Sequence, residues 1–344
     1  MHMADALLSP VIGGVFWVVS GSLIGYSAKK ISQENDSAKT PLMGVLGAFI
    51  FAAQMINFTI PGTGSSGHLG GGLLLAALLG PYRAFITLAS VLVIQCLFFA
   101  DGGILALGCN IFNLAFFPAF IIYPLIFKKI SLSNKSSIWL TVASLIAAES
   151  GLLLGAISVI IQTVSSGITD LPFGTFAIFM LPIHAAIGIV EGLVTFGVLV
   201  FVSKVEPALL ISGRATDEGR GLRLVVLSFI TGAIVLGGVF SWFASSKPDG
   251  LEWSIAKVSG IKEFTQMADK THAIATFVQE KTAFFPDYSF KQHTESATNN
   301  NEAVPGTLAG TSASGIIGSL LVLFIAVTAG FFIRKKSVKS PTDR

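Results

Sequence analysis

Charge is what this 344-residue sequence has least of: 12% of its residues are Asp, Glu, Lys or Arg, against about 25% in an ordinary soluble domain. Hydrophobic residues make up 52%. So few charges cannot clothe a soluble fold of this length, because a folded domain needs a polar skin. A cytosolic enzyme, a disordered chain and a nucleic-acid-binding protein are excluded on that ground. The net charge of +3 is too small to argue for an acidic partner. Cysteine is nearly missing as well. Cys96 and Cys109 are the only two; they build no disulfide framework, match no zinc spacing and read as small buried hydrophobes. The dipeptide Gly-Lys never occurs, so no phosphate-binding loop of the Gly-Lys-Ser/Thr kind exists and no ATP is bound through one. Gly-x-Ser-x-Gly elbows, His-Glu-x-x-His helices and Cys-x-x-Cys pairs are missing too, which removes most enzyme readings.

Long apolar runs fill the space those absences leave. A hydrocarbon core of about 30 Å asks for roughly 17–25 apolar residues per helix. Runs of that kind cover Val11–Ala28, Leu42–Phe58, Ala84–Ala100, Ile104–Phe127, Ile138–Val164, Thr175–Ser203, Leu222–Ala244 and Ser314–Ile333. A shorter run, Gly67–Leu79, covers under about 20 Å as a helix. The pattern predicts an all-α polytopic membrane protein.

Basic residues give the runs a direction. Lys29, Lys30 and Lys39 follow the first run, and Thr59–Ser66 has no base. Arg83 follows the short run, and the Asp101-Gly102-Gly103 turn has none. Lys128, Lys129 and Lys135 come next, then the base-free Ser165–Gly174, then Lys204, Arg214, Arg220 and Arg223. The C-terminal tail carries Arg334, Lys335, Lys336, Lys339 and Arg344. This alternation obeys the positive-inside rule only if Gly67–Leu79 crosses. The count is then nine transmembrane helices, N-terminus outside and C-terminus cytoplasmic. Sixteen bases fall inside and six outside, all six in one long external loop.

That loop, 245–313, opens on the turn signal Pro248-Asp249-Gly250 and continues as a mixed-charge helical stretch from Leu251 to about Phe285. It ends in a polar, Asn-rich run, Lys291–Glu302, with the composition of a linker. The chain divides into a seven-helix unit (1–205), a basic cytoplasmic linker (206–221) and a two-helix unit carrying the external loop (222–344). No cleavable signal is expected: the start lacks a basic region, holds Asp5, and places Lys29 and Lys30 at the far end of the first helix. Met1 and His2 are therefore expected to remain, outside, at the mouth of the bundle.

His2 stands next to the terminal amine. An amine, the next amide nitrogen and an imidazole at position two can close two fused chelate rings on one metal. Three nitrogens in a plane plus one more favour Ni(II) or Cu(II). His68, in the glycine-dense Gly62–Gly72 on the same predicted face, offers a fourth. Each histidine alone reads better as a solvated surface residue or a helix-end residue; together the metal reading and that bland one stand level. Glu149, His184 and Glu191 lie inside the runs, where a charge costs at least about 2.5–3.5 kcal/mol and needs a partner or a purpose. His184 and Glu191 are seven apart and share a helix face, as bracket of an ion path or as packing pair. Asp101, Asn110 and Asn113 lie near the outer face, to orient a ligand imidazole or simply to form a turn and interhelical bonds. His272 and His293, in the external loop, are expected to be solvated, with a weak metal-gathering role as the alternative.

Several of these stretches, in this order, resemble the substrate-binding membrane component of nickel and cobalt energy-coupling-factor (ECF) transporters. They are Met1-His2-Met3-Ala4-Asp5-Ala6-Leu7-Leu8-Ser9-Pro10, Ser66-Gly67-His68-Leu69-Gly70-Gly71-Gly72, Phe99-Ala100-Asp101-Gly102-Gly103 with Asn110-Ile111-Phe112-Asn113, and Leu181-Pro182-Ile183-His184 with Glu191-Gly192. The resemblance covers about residues 1–205. Pro248-Asp249-Gly250-Leu251-Glu252-Trp253 resembles the signature of the small two-span accessory component, here fused behind the first. One departure is Met3-Ala4-Asp5-Ala6, where the family pattern has an apolar residue and Asp-Gly, so that Ala6 is expected to tighten the N-terminal turn.

The resemblance implies a metal held by the terminal amine of Met1, the amide and imidazole of His2, and the imidazole of His68. It implies Ni(II), with Co(II) as the alternative cargo, taken up outside and carried across when the whole component tilts. It also implies a transmembrane coupling subunit and two cytosolic ABC ATPases as partners, in the inner (plasma) membrane of a prokaryote. The cytoplasmic loops with Lys29–Lys39 and Lys128–Lys135 would lie near the coupling subunit. Two competing readings are an intramembrane enzyme using His184 and Glu191 as acid–base groups, and a passive channel or structural membrane protein whose metal content is indifferent to His2 and His68.

Overall fold

The computed structural model describes residues 2–34, 39–133, 137–211, 219–261, 269–290 and 305–335. Met1, His293 and the Lys291–Glu302 run lie outside the described residues. Residues 2–8 form a strap with one 3-10 turn, Asp5–Leu7, before helix α1 (Pro10–Ser32) begins. Ser9 caps α1 by accepting from the Ile12 amide at 3.4 Å, Pro10 occupies the first turn, and Lys29 and Lys30 occupy the last. Only Gly13, Ser20, Ser27 and Ile31 of α1 are buried. The rest of this apolar helix, with Val11, Trp17 and Val18 exposed, suits a lipid-facing position.

The interior is built from α2 (Lys39–Gln54), α3 (Gly72–Leu79) and α4 (Pro81–Phe99), whose residues are mostly buried. Helix α5 (Leu107–Ser131) follows. Its stretch Phe112–Phe127 winds in wide π-type turns around Pro118 and Pro124, which have no amide to donate. α6 (Ser137–Ser166) and α7 (Phe173–Val205) pack along one another. α8 (Arg220–Gly238) and α11 (Pro305–Lys335) both lie against α2. Between them, α9 (Gly250–Ser259) and α10 (Lys270–Thr282) belong to the external segment.

Seven of these helices, α1, α4, α5, α6, α7, α8 and α11, are long and apolar enough to cross a membrane. The other two of the expected nine fall on the 16-residue α2 and the 8-residue α3; α3 spans about 12 Å. Two contacts fix which ends meet. The Arg83 guanidinium pairs with Glu34, joining the start of α4 to the end of α1. At the other end, Gly103 N donates to Met3 O at 2.9 Å, joining the exit of α4 to the strap before α1. Gln95, one turn before the end of α4, donates to Gln54 at 2.9 Å, and Gln54 donates to Gly70 O at 2.8 Å. The chain from Gly70 to Gly80 therefore runs from the His2 end of the bundle to the Arg83 end, with α3 as its only helix.

Within the expected helical stretch Leu251–Phe285, the described residues form the two helices α9 and α10. Asp249 caps α9 in a reciprocal box: its Oδ1 accepts from Glu252 N at 2.8 Å while its own N donates to Glu252 Oε2 at 3.1 Å. The segment lies on the bundle. Ser245 N donates to Asn57 O at 2.7 Å, Ser66 N to Pro248 O at 2.8 Å, and Phe285 N to Phe98 O at 3.1 Å. Two expectations change. His272 is not solvated; it is 1% exposed, because α10 turns it onto the strap. Ala6 sits at negative φ within the 3-10 turn, a conformation open to any residue, so the turn does not require the glycine of the family pattern.

Candidate metal centre

The strap is held by its backbone. Met3 N donates to Asn110 Oδ1 at 2.8 Å, and Asn110 Nδ2 donates back to Met3 O at 3.2 Å. One carboxamide thus serves both backbone groups of the residue after His2. Asp5 is 2% exposed, and its Oδ1 accepts from Ala106 N at 2.9 Å. Burial raises its carboxyl pKa against that bond. Gly103 has no room for a side chain: a Cβ there would stand 1.8 Å from Asp5 Oδ1 and 2.5 Å from Asp5 N.

A second backbone segment carries His68. The strands β1 (Phe58–Thr59) and β2 (Ser66–Gly67) pair antiparallel, Phe58 against Gly67 and Thr59 against Ser66. His68 follows at once. Its Nδ1 donates to Leu69 O at 3.0 Å, so the neutral ring carries its lone pair on Nε2. Behind it, Glu191 of α7 accepts from Gly70 N at 2.8 Å and Gly71 N at 3.1 Å. This carboxylate, read from the sequence as bracket of an ion path or as packing pair, holds the backbone of the His68 loop.

The two histidines meet face to face, ring centroids 5.1 Å apart and planes 19° from parallel. His2 Nδ1 lies 3.2 Å from Asp101 Oδ1. The Tyr288 hydroxyl donates to Asp101 Oδ2 at 2.5 Å. His2 Nε2 is buried and has no hydrogen-bond partner among the described residues. Burial lowers both imidazoles to about 3, so both rings are neutral at pH 7 and offer lone pairs rather than charge. Burial also raises Asp101, opposed by the Tyr288 bond. A cavity of about 400 Å³ opens beside the pair, lined by His2, His68, Asp101, Asp249, Glu252 and Tyr288 among others.

The remaining candidates stand apart. Asn113 is paired with Gln162 in both directions, 2.7 and 2.9 Å, and touches the Met3 sulfur at 3.7 Å. His184 donates from Nδ1 to Met180 O at 2.8 Å, which leaves the lone pair on Nε2. It lines a cavity of about 10 Å³ with His68, Asp249 and Gly250. His184 and Glu191 share a face of α7 and serve different partners. Glu149 is half-buried in α6, where that helix crosses α7 at Gly188. Among the described residues no three His, Cys, Asp or Glu side chains converge as a cage for an ion.

Sequence reasoning missed Asp249, Tyr288, His272 and Gln279, all from the external segment. Gln279 donates to Gly102 O at 2.7 Å and Cys96 O at 3.0 Å. Pro248-Asp249-Gly250 was legible as a turn, and nothing in it told which wall of the site the turn would close. Asp287 and Tyr288 sit in the left-handed region, φ 51° and 57°, a conformation non-glycine residues adopt at a cost. No local pattern announces it.

Residues 2–209 match the family model described as the cobalt uptake substrate-specific transmembrane region, and residues 223–335 match the PDGLE domain. A protein of Archaeoglobus fulgidus named as a fused nickel transport protein is 32% identical over 332 residues, 94% of this chain and 96% of its own. One of Lactiplantibacillus plantarum named as a probable fused nickel transport protein is 30% identical over 303 residues, 84% of this chain and 89% of its own. The crystal structure of a truncated transition metal transporter superposes with a TM-score of 0.52 at 30% identity, covering 59% of this chain and 99% of that one. These relatives are named as metal transporters, not enzymes, and the acid–base reading of His184 and Glu191 falls with that. The chain is a membrane-embedded, multi-pass metal transport component, and it belongs to the family of the cobalt uptake substrate-specific transmembrane region, in the fused nickel-transport arrangement with a PDGLE domain behind it.

Proposed function

We propose that this protein captures Ni(II) at the outer face of the membrane and delivers it inward as the substrate-binding component of an ATP-driven ECF transporter. The observation that carries the reading is the half-buried, stacked contact of His2 with His68, 5.1 Å between centroids, beside a strap held at Met3 by Asn110. The ligands are the Met1 amine, the His2 amide nitrogen and Nδ1, and His68 Nε2. His2 Nδ1 is the ring nitrogen that closes a six-membered chelate with its own amide. Loading therefore exchanges the 3.2 Å contact to Asp101 for the metal, with release of the protons that the nitrogens carry. A neutral His68 needs no deprotonation at pH 7.

Nine crossings, N-terminus outside and C-terminus cytoplasmic, fit the run of Gly70–Gly80 between opposite ends of the bundle and the sorting of bases. Residues 1–205 form the metal-binding unit, 206–221 the linker and 222–344 the accessory unit, in the inner membrane of a prokaryote. ATP is hydrolysed on two cytosolic ATPases coupled through a separate transmembrane subunit, consistent with a chain that has no Gly-Lys dipeptide. Co(II) is the second reading, favoured by the cobalt description of the matching family. Four nitrogens in a plane favour nickel.

The test is metal retention. Native protein and a version with two residues added before Met1 are loaded with equimolar Ni(II) and Co(II), desalted and assayed by elemental analysis. About one Ni(II) per native chain and none in the extended chain is the expected result. Preferential retention of Co(II) changes the cargo and keeps the site. Equal retention by both forms removes the terminal amine from the ligand set and the proposal with it.

A further inference from the structure

The external segment reaches the N-terminal strap through a buried histidine in the first turn of α10. His272 Nε2 lies 3.1 Å from Asp5 O and 3.1 Å from Leu8 O, and its Nδ1 lies 2.5 Å from Asp269 Oδ2. Two carbonyls and a carboxylate can only accept. A neutral imidazole has one N–H and cannot serve both sides; the doubly protonated ring serves both. Asp269 is held in place from its own helix, its Oδ1 accepting from Thr271 N at 2.7 Å and His272 N at 3.1 Å. Burial opposes a charge on the ring, but Asp269 and the two carbonyls outweigh it and raise the imidazole pKa above its ordinary value. The charged groups that face it are Asp269 on its own side and the Asp5 carboxyl on the strap side.

The two carbonyls matter by position. Asp5 and Leu8 bracket the 3-10 turn that leads from His2 into α1. Asp5 O already accepts from Leu8 N at 3.0 Å to close that turn. The imidazole thus closes the turn from outside. Asn110 and Ala106 hold the strap from the bundle side, so loss of the clamp loosens the strap at Asp5 and Leu8 and leaves the helices folded.

We propose that His272 is a positioning residue, a cationic clamp by which the external segment holds the N-terminal strap, and with it His2, ready to receive the metal. This rests on the N-terminal metal site proposed above. It gives the fused external segment a defined task, which is to keep the binding-competent form of the strap populated. Apparent affinity scales with that population, so a fall to about a tenth in the docked fraction weakens metal binding about tenfold.

The experiment uses the full chain in lipid nanodiscs, as wild type, His272→Ala, His272→Gln and Asp269→Asn, with the N-terminally extended chain as control. Hydrogen–deuterium exchange of residues 2–8 is read without metal, and Ni(II) affinity is read by competition with a chromophoric chelator. Expected are faster exchange of residues 2–8 and about tenfold weaker Ni(II) binding in His272→Ala. Because the folded pKa is raised, the clamp is complete at low pH and is lost as pH rises through that value. The affinity ratio of wild type to His272→Gln therefore shrinks toward unity as pH rises above the ordinary imidazole range. In Asp269→Asn the same loss comes at lower pH. Unchanged exchange in His272→Ala and His272→Gln overturns the clamp, and so does a ratio that does not move with pH. If the extended chain still binds Ni(II), the metal site fails instead, and exchange of residues 2–8 alone decides the clamp. Should His272→Ala not fold, His272→Gln, which keeps one donor, carries both readouts.

Discussion

Replacing Glu191 by Gln asks whether a carboxylate inside the bundle acts on the metal site through the loop it holds. The side chain is 3% exposed. Its two oxygens accept from Gly70 N at 2.8 Å and Gly71 N at 3.1 Å, directly behind His68. Gln keeps the volume and one acceptor, and turns an NH2 group toward the other amide. One hydrogen bond to a charged group, about 1.5–3 kcal/mol, is lost, and a buried N–H is left facing a donor. A loss of about 2 kcal/mol from the docked loop corresponds to roughly thirtyfold weaker metal binding if the metal-free loop relaxes and must be redocked by the ion. The same change removes an ionisable group from the membrane interior, which is favourable. Thermal stability and affinity should therefore separate. The Glu191→Gln protein is expected to melt at or above the wild-type temperature and to bind Ni(II) about ten- to thirtyfold more weakly in a chelator competition assay. Binding within threefold of wild type by a folded variant would show that the loop holds its shape without the anchor, and the reasoning from Glu191 to His68 would be refuted.

Gly103→Ala puts a Cβ at 1.8 Å from Asp5 Oδ1, so the strap must leave its place. Metal retention should fall to the level of the N-terminally extended chain while the helix content seen by circular dichroism is unchanged; full retention would mean that the strap is held elsewhere. Acid should also dismantle the metal-free site. The folded values of His2 and His68, about 3, lie below the ordinary imidazole value of 6.5, so the unfolded chain binds more protons between them. Their contribution to stability is complete above about pH 6.5 and is lost as pH falls toward 3. Asp5 and Asp101, raised by burial, act in the opposite sense. The decisive comparison is wild type against the His2→Gln, His68→Gln double variant, whose thermal midpoint should fall less steeply with acid; parallel curves would contradict neutral, buried rings.

What could be read directly from the chain was whatever depends on local composition. Runs of apolar residues became helices because a span is long and self-contained in its backbone bonding. Pro248-Asp249-Gly250 became the cap of α9 because a capping box closes within four residues. His2 and His68 were legible as a pair because they are two of the three histidines outside the long external loop, and both fall on the same predicted face. The two least spanning segments, α2 and α3, were harder. α3 is too short to announce itself, and its place follows from which ends of α1 and α4 touch, a contact between Glu34 and Arg83.

The sequence alone determined the polytopic, mostly helical class, the alternation of basic loops and which residues are candidates for a metal, because hydropathy, charge and side-chain chemistry are local properties. Tertiary structure alone decided what each buried polar group answers to. Glu191 and His184 share a face, yet one carries the His68 loop through two amides and the other donates to its own helix. His272, 270 residues from His2 along the chain and expected in solvent, lies against the strap that begins with it. A buried donor or acceptor must find a partner, and that partner is set by which segments the packed helices bring together, over separations that no local pattern encodes.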